Sequence, residues 1–271
     1  MQNEKFFAPP SDERVMPPET EGDNRNFIEH LARYDFARGF LKKGMNILDA
    51  ACGSGYGSHL LAKYGCNVIG GDISQEAVSY ANKRFTHENL TYTKVNCIRP
   101  EYPDGHFDAY VSFETIEHFF EQDEYLTNAR RILKAGGLFI CSTPNKDVHE
   151  FYRHKGWMGA NPYHLKELTV QEFRDLLEKH FPKVELYAQD YDPLALKMLE
   201  MNRIVSELRW EMDHLPITLI KKILPQGVLG MLGKPAPDLA KKLNTRYNLD
   251  MAKISKLNIE NADTLIAVCY T

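Results

Sequence analysis

The sequence predicts an α/β fold built on a doubly wound, mostly parallel sheet. Three observations carry this: short apolar runs alternate with helical periodicity between residues 46 and 189, the runs end on polar residues, and the first run leads into a glycine-rich turn. In that turn, within residues 45–58, Ile47 and Leu48 meet Asp49, and Gly53, Gly55 and Gly57 follow before a helical pattern begins. Glycines between strand and helix let a ligand lie against bare backbone N–H groups at a helix N-terminus.

The elements follow in order. Residues 24–43 place Ile28, Leu31, Ala32, Phe36 and Phe40 three or four apart and close on Lys42, Lys43 and Gly44, the pattern of a helix with a basic last turn and a glycine stop. After the glycine turn a helix runs from about Tyr56 to Tyr64 and stops at Gly65. Asn67–Asp72 reads as a buried strand ending on an acid, and a helix starts near Ser74. Residues 90–95 and 107–112 give the third and fourth strands, a helix closes over 132–137, and 138–142 give the fifth strand. Residues 143–168 read as a long irregular loop rich in Pro, Asn, His, Trp and Tyr, of a length that favours function. A capping box at Thr169 and Glu172 opens a helix to His180, residues 183–189 form a sixth strand and Thr264–Tyr270 the last. The expected organisation is a flexible N-terminal segment (1–23), loosely ordered or folded over a site, and one domain (24–271). Within the domain, 143–168 is the substrate loop and 191–262 a helical insertion, with helical signals at 192–210 and 217–223.

Composition narrows the function. Net charge is −4 without any long basic run, so nucleic acid is excluded as a partner. Five cysteines, odd in number and never spaced C-x-x-C, read as reduced core residues of a cytoplasmic protein. The polar, proline-rich N-terminus is neither a signal peptide nor a membrane span. Residues 215–234 mix apolar residues with lysines and are interrupted by Pro225, Gly227 and Gly230, which suits a helical cover, a dimer surface or a peripheral membrane contact.

In a doubly wound sheet, ligands bind beyond the carboxyl ends of the strands. Asp49, Asp72, Asn96, the Phe113-Glu114 pair and residues 143–145 stand at those ends. Asp72, 23 residues after Asp49, is placed to accept both hydroxyls of a ribose. A dinucleotide fingerprint requires glycine or alanine where Ser58 stands, and Asp49, four residues before Gly53, would repel a pyrophosphate. The same carboxylate suits a cationic ligand such as S-adenosylmethionine.

Asp49-Ala50-Ala51-Cys52-Gly53-Ser54-Gly55, Asp72, Phe107-Asp108 with the later Glu117-His118, and Leu133 to Gly137 resemble the class I S-adenosylmethionine-dependent methyltransferases over roughly residues 24–190. More narrowly, the segments 29–34, 55–58 and 161–167 are similar to bacterial methyltransferases encoded among glycosyltransferases and associated with glycan or polysaccharide biosynthesis. The resemblance implies a Rossmann-like, seven-stranded sheet with its last strand antiparallel and S-adenosyl-L-methionine as cofactor. It implies Gly53 and Gly55 at the methionine moiety, with Asp49 and Ala51 in the same turn. Asp72 belongs at the ribose, with Ile73 beside it among the cofactor-binding residues, Asn96 at the adenine amino group, and Cys97 and Ile98 against the adenine. Phe113 and Glu114 approach the amino-acid end, and Tyr34, His30 and Trp157 are candidates for covering the cofactor or substrate. Ala51 and Asn96 depart from the family's usual glycine and aspartate.

Methyl transfer to a hydroxyl needs alignment and a proton acceptor, and a near-neutral imidazole suits the second task. His118, just beyond the fourth strand, is the first candidate and His164, in the loop after the fifth, the second. No metal is expected, because His149 and His154 lie five apart and do not share a helix face. The expected activity is O-methylation of a sugar hydroxyl on a surface glycan, nucleotide sugar or glycosylated small molecule, by a monomer or homodimer. The alternatives are N- or C-methylation of an amine or quinone, and a non-catalytic cofactor-binding module.

Overall fold

The computed structural model describes residues 14–17, 25–154, 159–189, 252 and 254–271. The strands are β1 (Asn46–Ala50), β2 (Asn67–Asp72), β3 (Leu90–Lys94), β4 (Phe107–Ser112), β5 (Leu133–Pro144), β6 (Lys183–Gln189), β7 (Ile254–Ser255) and β8 (Thr264–Tyr270). The helices are α1 (Arg25–Arg38), α2 (Tyr56–Tyr64), α3 (Gln75–Arg84), α4 (Gln122–Ile132), α5 (Lys146–His154) and α6 (Val170–Glu178).

One sheet runs β3-β2-β1-β4-β5-β8-β6-β7. Strands β1 to β5 pair in parallel, and β8 lies antiparallel between β5 and β6. The order reverses between β1 and β4, so the loops leaving those strands diverge and open a crevice. Side chains alternate between two cores. Leu48, Tyr110, Phe139, Leu265 and Ala267 enter one face of the sheet, whereas Ile47, Ala109, Val111, Ile140, Ile266 and Val268 enter the other. Both faces are therefore covered, as a parallel sheet requires.

Local signals hold at the helix starts. Ser74 caps α3 by accepting from the Ala77 N–H, and Thr169 with Glu172 forms the expected capping box of α6.

Three expectations are corrected. The sheet has eight described strands rather than seven, because the two-residue β7 pairs with the end of β6 inside the stretch expected to be a helical insertion. Of that stretch, only residue 252 and residues 254–262 are described; residues 192–223 with their helical signals, and 215–234, lie outside the described residues, as does Trp157. The helix expected to close over 132–137 stops at Ile132. Leu133 already pairs with Phe107, and the register then shifts before Leu138 pairs with Ala109, with Gly136 at φ 75° in the excursion. Finally, 143–168 is not all irregular: Thr143 and Pro144 finish β5, and α5 follows after Asn145, whose side chain accepts from the Asp147 N–H at 3.3 Å.

The four cysteines Cys52, Cys66, Cys141 and Cys269 are buried and Cys97 is half-buried, all as free thiols. Among the described residues, no helix is long and apolar enough to cross a membrane.

Candidate active site

A cleft of about 800 Å³ opens above the carboxyl ends of β1, β2 and β4. Of the residues expected at a cofactor, Tyr34, Ala51, Gly53, Asp72, Ile73, Asn96, Cys97, Ile98, Phe113 and Glu114 line it, and so do His30, His118 and His164. Asp49 and Gly55 do not. Gly55 faces inward: at φ 88° it takes a conformation open to glycine, and a Cβ there would lie 2.6 Å from Ala81 Cβ. Asp49 is fully buried one layer behind the wall, accepting hydrogen bonds from the Tyr34 and Ser58 hydroxyls. Tyr34 reaches it because Gly57 has no side chain; a Cβ at Gly57 would fall 1.9 Å from the tyrosine ring. Thus the third glycine of the turn serves packing, and Ser58, read as a departure from a dinucleotide fingerprint, is a ligand of the buried acid.

Ala51 adopts φ 57°, the left-handed conformation for which the family's glycine is suited. The methyl group costs about 1–2 kcal/mol there without undoing the turn. Asp72 closes the turn from the other side. One carboxylate oxygen accepts from the Gly53 N–H at 3.0 Å, the other from the Ser74 N–H at 2.9 Å and from Arg14 at 3.1 Å. Of the N-terminal segment only residues 14–17 are described, and Val15 also meets the turn, its carbonyl accepting from the Ser54 hydroxyl. The Asn96 side-chain oxygen already accepts from the Ile98 N–H at 3.0 Å, so one lone pair remains for an adenine amino group.

Burial raises the Asp49 pKa from 3.8 to about 7, against the Ser58 and Tyr34 hydrogen bonds that favour ionisation. The folded chain holds this proton more tightly than the unfolded chain. Its stabilising contribution is therefore complete below the unfolded value of 3.8 and is lost as pH rises through about 7. Without cofactor, melting temperature is expected to fall as pH rises toward about 8, an effect of up to ~4 kcal/mol. Asp49→Asn should flatten that slope; a native profile that rises across the same interval would contradict it. A cation in the cleft favours the ionised carboxylate, so its binding should release a proton below this pKa.

The sequence reading overlooked Arg33. Only 3% exposed, it donates through Nε to Gln189 at 2.6 Å and through Nη2 to Thr264 at 3.2 Å, while Nη1 lies 3.5 Å from Glu114 and has no hydrogen-bond partner among the described residues. Glu114 sits at φ 48° and is held by the Ser142 hydroxyl. Burial opposes its ionisation, but the Arg33 guanidinium keeps its pKa below the usual carboxylate value. Burial and Arg33 together push His30 down to about 3, so it stays neutral and cannot take a cationic role. An unfilled guanidinium nitrogen beside an ionised carboxylate matches an amino acid's zwitterionic end. With bare backbone at Gly53 and the Asp72 carboxylate for a ribose, the cleft fits S-adenosylmethionine.

The two candidate histidines meet, with ring centroids 5.1 Å apart. His118 ends a short 3-10 turn, Ile116–His118, and His164 lies in the loop between α5 and α6. The loop is fastened to that turn by the Leu165 and Lys166 N–H groups, both donating to the Glu117 carbonyl. His118 Nδ1 lies 3.1 Å from the Tyr163 carbonyl and His164 Nδ1 2.8 Å from the Glu167 carboxylate. Both oxygens only accept, so both imidazoles carry hydrogen on Nδ1, and in the neutral ring the lone pair is then on Nε2. Although burial opposes ionisation, His164 and Arg153 hold Glu167 down at about 2. By contrast His149 pairs with Asp263 at 3.4 Å, while His154 bonds the Glu150 carbonyl at the helix end, so these two histidines are apart in environment.

Comparison with known proteins agrees with this geometry. A methyltransferase-domain family matches residues 48–141. A probable S-adenosylmethionine-dependent methyltransferase of Mycolicibacterium smegmatis is 33% identical over 135 residues, 50% of this chain and 51% of that protein. The chain thus spans about half the length of that curated relative. The ubiquinone biosynthesis O-methyltransferase of Cereibacter sphaeroides is 33% identical over 184 residues, 62% of this chain and 74% of the relative. Among solved structures, a Thermotoga maritima S-adenosylmethionine-dependent methyltransferase, a possible histamine N-methyltransferase, superposes with a TM-score of 0.56 at 14% identity, over 90% of this chain and 91% of that one. The last likeness bears on fold alone. The sequence likeness extends through the glycine turn and across the strands that frame the cleft, and it places this chain within the class I S-adenosylmethionine-dependent methyltransferases.

Proposed function

We propose that this chain methylates a hydroxyl group, with a sugar as the acceptor. The observation that carries the reading is the pair of Nδ1-anchored imidazoles, His118 and His164, in the same cleft as the cofactor residues. A hydroxyl must lose its proton as it attacks, whereas a neutral amine need not do so first. The cofactor supplies a methyl group on a sulfonium, which leaves as a neutral thioether. The chain's own part is alignment and proton handling. Arg33 and Glu114 anchor the amino-acid end, Asp72 the ribose, and the imidazoles present lone pairs to an acceptor hydroxyl. A sugar is supported by the polar lining contributed by Asn26, Arg153 and Asn161, and by the resemblance of segments 29–34 and 161–167 to glycan-associated enzymes.

A second reading keeps the chemistry and replaces the sugar with a phenolic hydroxyl of a quinone precursor, favoured by the ubiquinone biosynthesis relative. The test is incubation with methyl-labelled S-adenosylmethionine and a panel of nucleotide sugars, glycosides, catechols and amines. Label in a sugar methyl ether supports the proposal, and label in a catechol ether selects the second reading. Label confined to amines, or cofactor binding with no transfer to any acceptor, defeats the hydroxyl reading.

A further inference from the structure

We propose that Glu117, His118 and His164 form a binding site for a divalent first-row transition-metal ion at the acceptor end of the cleft. This rests on the hydroxyl-methylation reading for its role, though not for its geometry. The three side chains each offer a ligand atom, and these atoms all lie within 4.8 Å of one another. His118 Nε2 is 3.8 Å from Glu117 Oε1. Ligands about 2.1 Å from a tetrahedral ion stand about 3.4 Å apart, so a small closure brings the set into bonding range.

Two further observations point to a ligand. First, Glu117 is fully buried, and while its Oε2 accepts from the Thr143 hydroxyl at 3.0 Å, its Oε1 has no hydrogen-bond partner among the described residues. A carboxylate oxygen removed from water without a partner is costly, and a cation answers that cost. Second, each imidazole is set as a metal-binding histidine is set. Nδ1–H donates to a backbone carbonyl at His118 and to a carboxylate at His164, which orients the ring and leaves Nε2 as the nitrogen with the lone pair. Arg153 in turn fixes the Glu167 carboxylate through its Nη1 and Nη2. The fastening of the loop to the Glu117 carbonyl makes the three ligands one unit, although 46 residues separate His118 from His164.

Two imidazoles and one carboxylate favour a transition ion over magnesium or calcium and leave coordination positions open. With the ion bound, the imidazoles hold it and an acceptor hydroxyl takes an open position. Coordination lowers the hydroxyl's pKa, and its proton passes to water. The oxygen then bonds to the methyl carbon as the carbon–sulfur bond breaks and its electron pair returns to sulfur.

The test uses the full chain, stripped with a chelator, dialysed and titrated with Co²⁺ alone while visible absorption is followed. The expected result is saturation at one equivalent with the absorption of an imidazole-bearing cobalt site. Glu117→Gln, His118→Ala and His164→Ala should each remove it while retaining S-adenosylmethionine affinity, which reports that the variants fold. Glu167→Gln, which removes no ligand atom but weakens the carboxylate that orients His164 and pairs with Arg153, should weaken Co²⁺ about 10–100-fold. No saturable binding by the native chain, or binding that survives loss of both histidines, overturns the site. Full-rate methylation of a hydroxyl by chelated protein overturns the ion's part in the reaction and leaves the hydroxyl reading intact. Stoichiometric, histidine-dependent Co²⁺ binding in a chain that methylates no hydroxyl upholds the site and ends that reading.

Discussion

A chain carrying His164→Ala is expected to methylate a hydroxyl acceptor with a kcat lowered about 10²–10⁴-fold. The argument begins with the carboxylate behind the ring. Glu167, held by Arg153 and kept ionised, fixes the His164 tautomer and aims the unprotonated nitrogen. Removing the imidazole removes either the proton acceptor or a ligand of the ion that lowers the hydroxyl's pKa, so the loss is felt in turnover under both descriptions. His118→Ala should cost a comparable factor, and the double variant less than the product, because the two rings act on one oxygen. S-adenosylmethionine affinity should remain at the native level, and transfer to an amine already neutral should change little. Steady-state kinetics with a hydroxyl and an amine acceptor make the check. Unaltered turnover on the hydroxyl in the double variant would reduce both histidines to packing.

Asp72→Asn is expected to weaken S-adenosylmethionine binding about 10²-fold or more, from the loss of charge-assisted hydrogen bonds worth ~1.5–3 kcal/mol each. The effect has two sources. A carboxylate accepts both ribose hydroxyls, whereas an amide offers one accepting atom and turns a donor toward the site. The same carboxylate also gathers the Gly53 and Ser74 N–H groups, and an amide nitrogen set against either repels it. The turn that should receive the methionine moiety loosens together with the ribose contact. Calorimetric titration with S-adenosylmethionine measures the affinity, and circular dichroism verifies the fold. Native affinity in the variant would remove Asp72 from the cofactor site.

The glycine turn and its two acids were legible because their logic is local: strand, tight turn and helix follow within fourteen residues of sequence, 45–58, and the spacing to Asp72 is that of one strand–helix–strand unit. Capping residues at Ser74 and Thr169 were legible for the same reason. Where a role depended on what lies across the sheet, the sequence was silent or misleading. Asp49 looked like a wall of the site and is instead buried behind Tyr34 and Ser58, since only packing shows which side a strand-end carboxylate turns to. The helix expected through residues 132–137 gave way to strand because Leu133 finds a partner in Phe107, and pairing outweighs local preference. Arg33 escaped notice because its partners, Gln189 and Thr264, lie 156 and 231 residues away. By itself, then, the sequence determined the sheet, the cofactor class and the two histidines as candidates. Only the tertiary structure decided that those histidines share one site with Glu117, because no periodicity encodes a contact made by a loop folding back over a distant strand end.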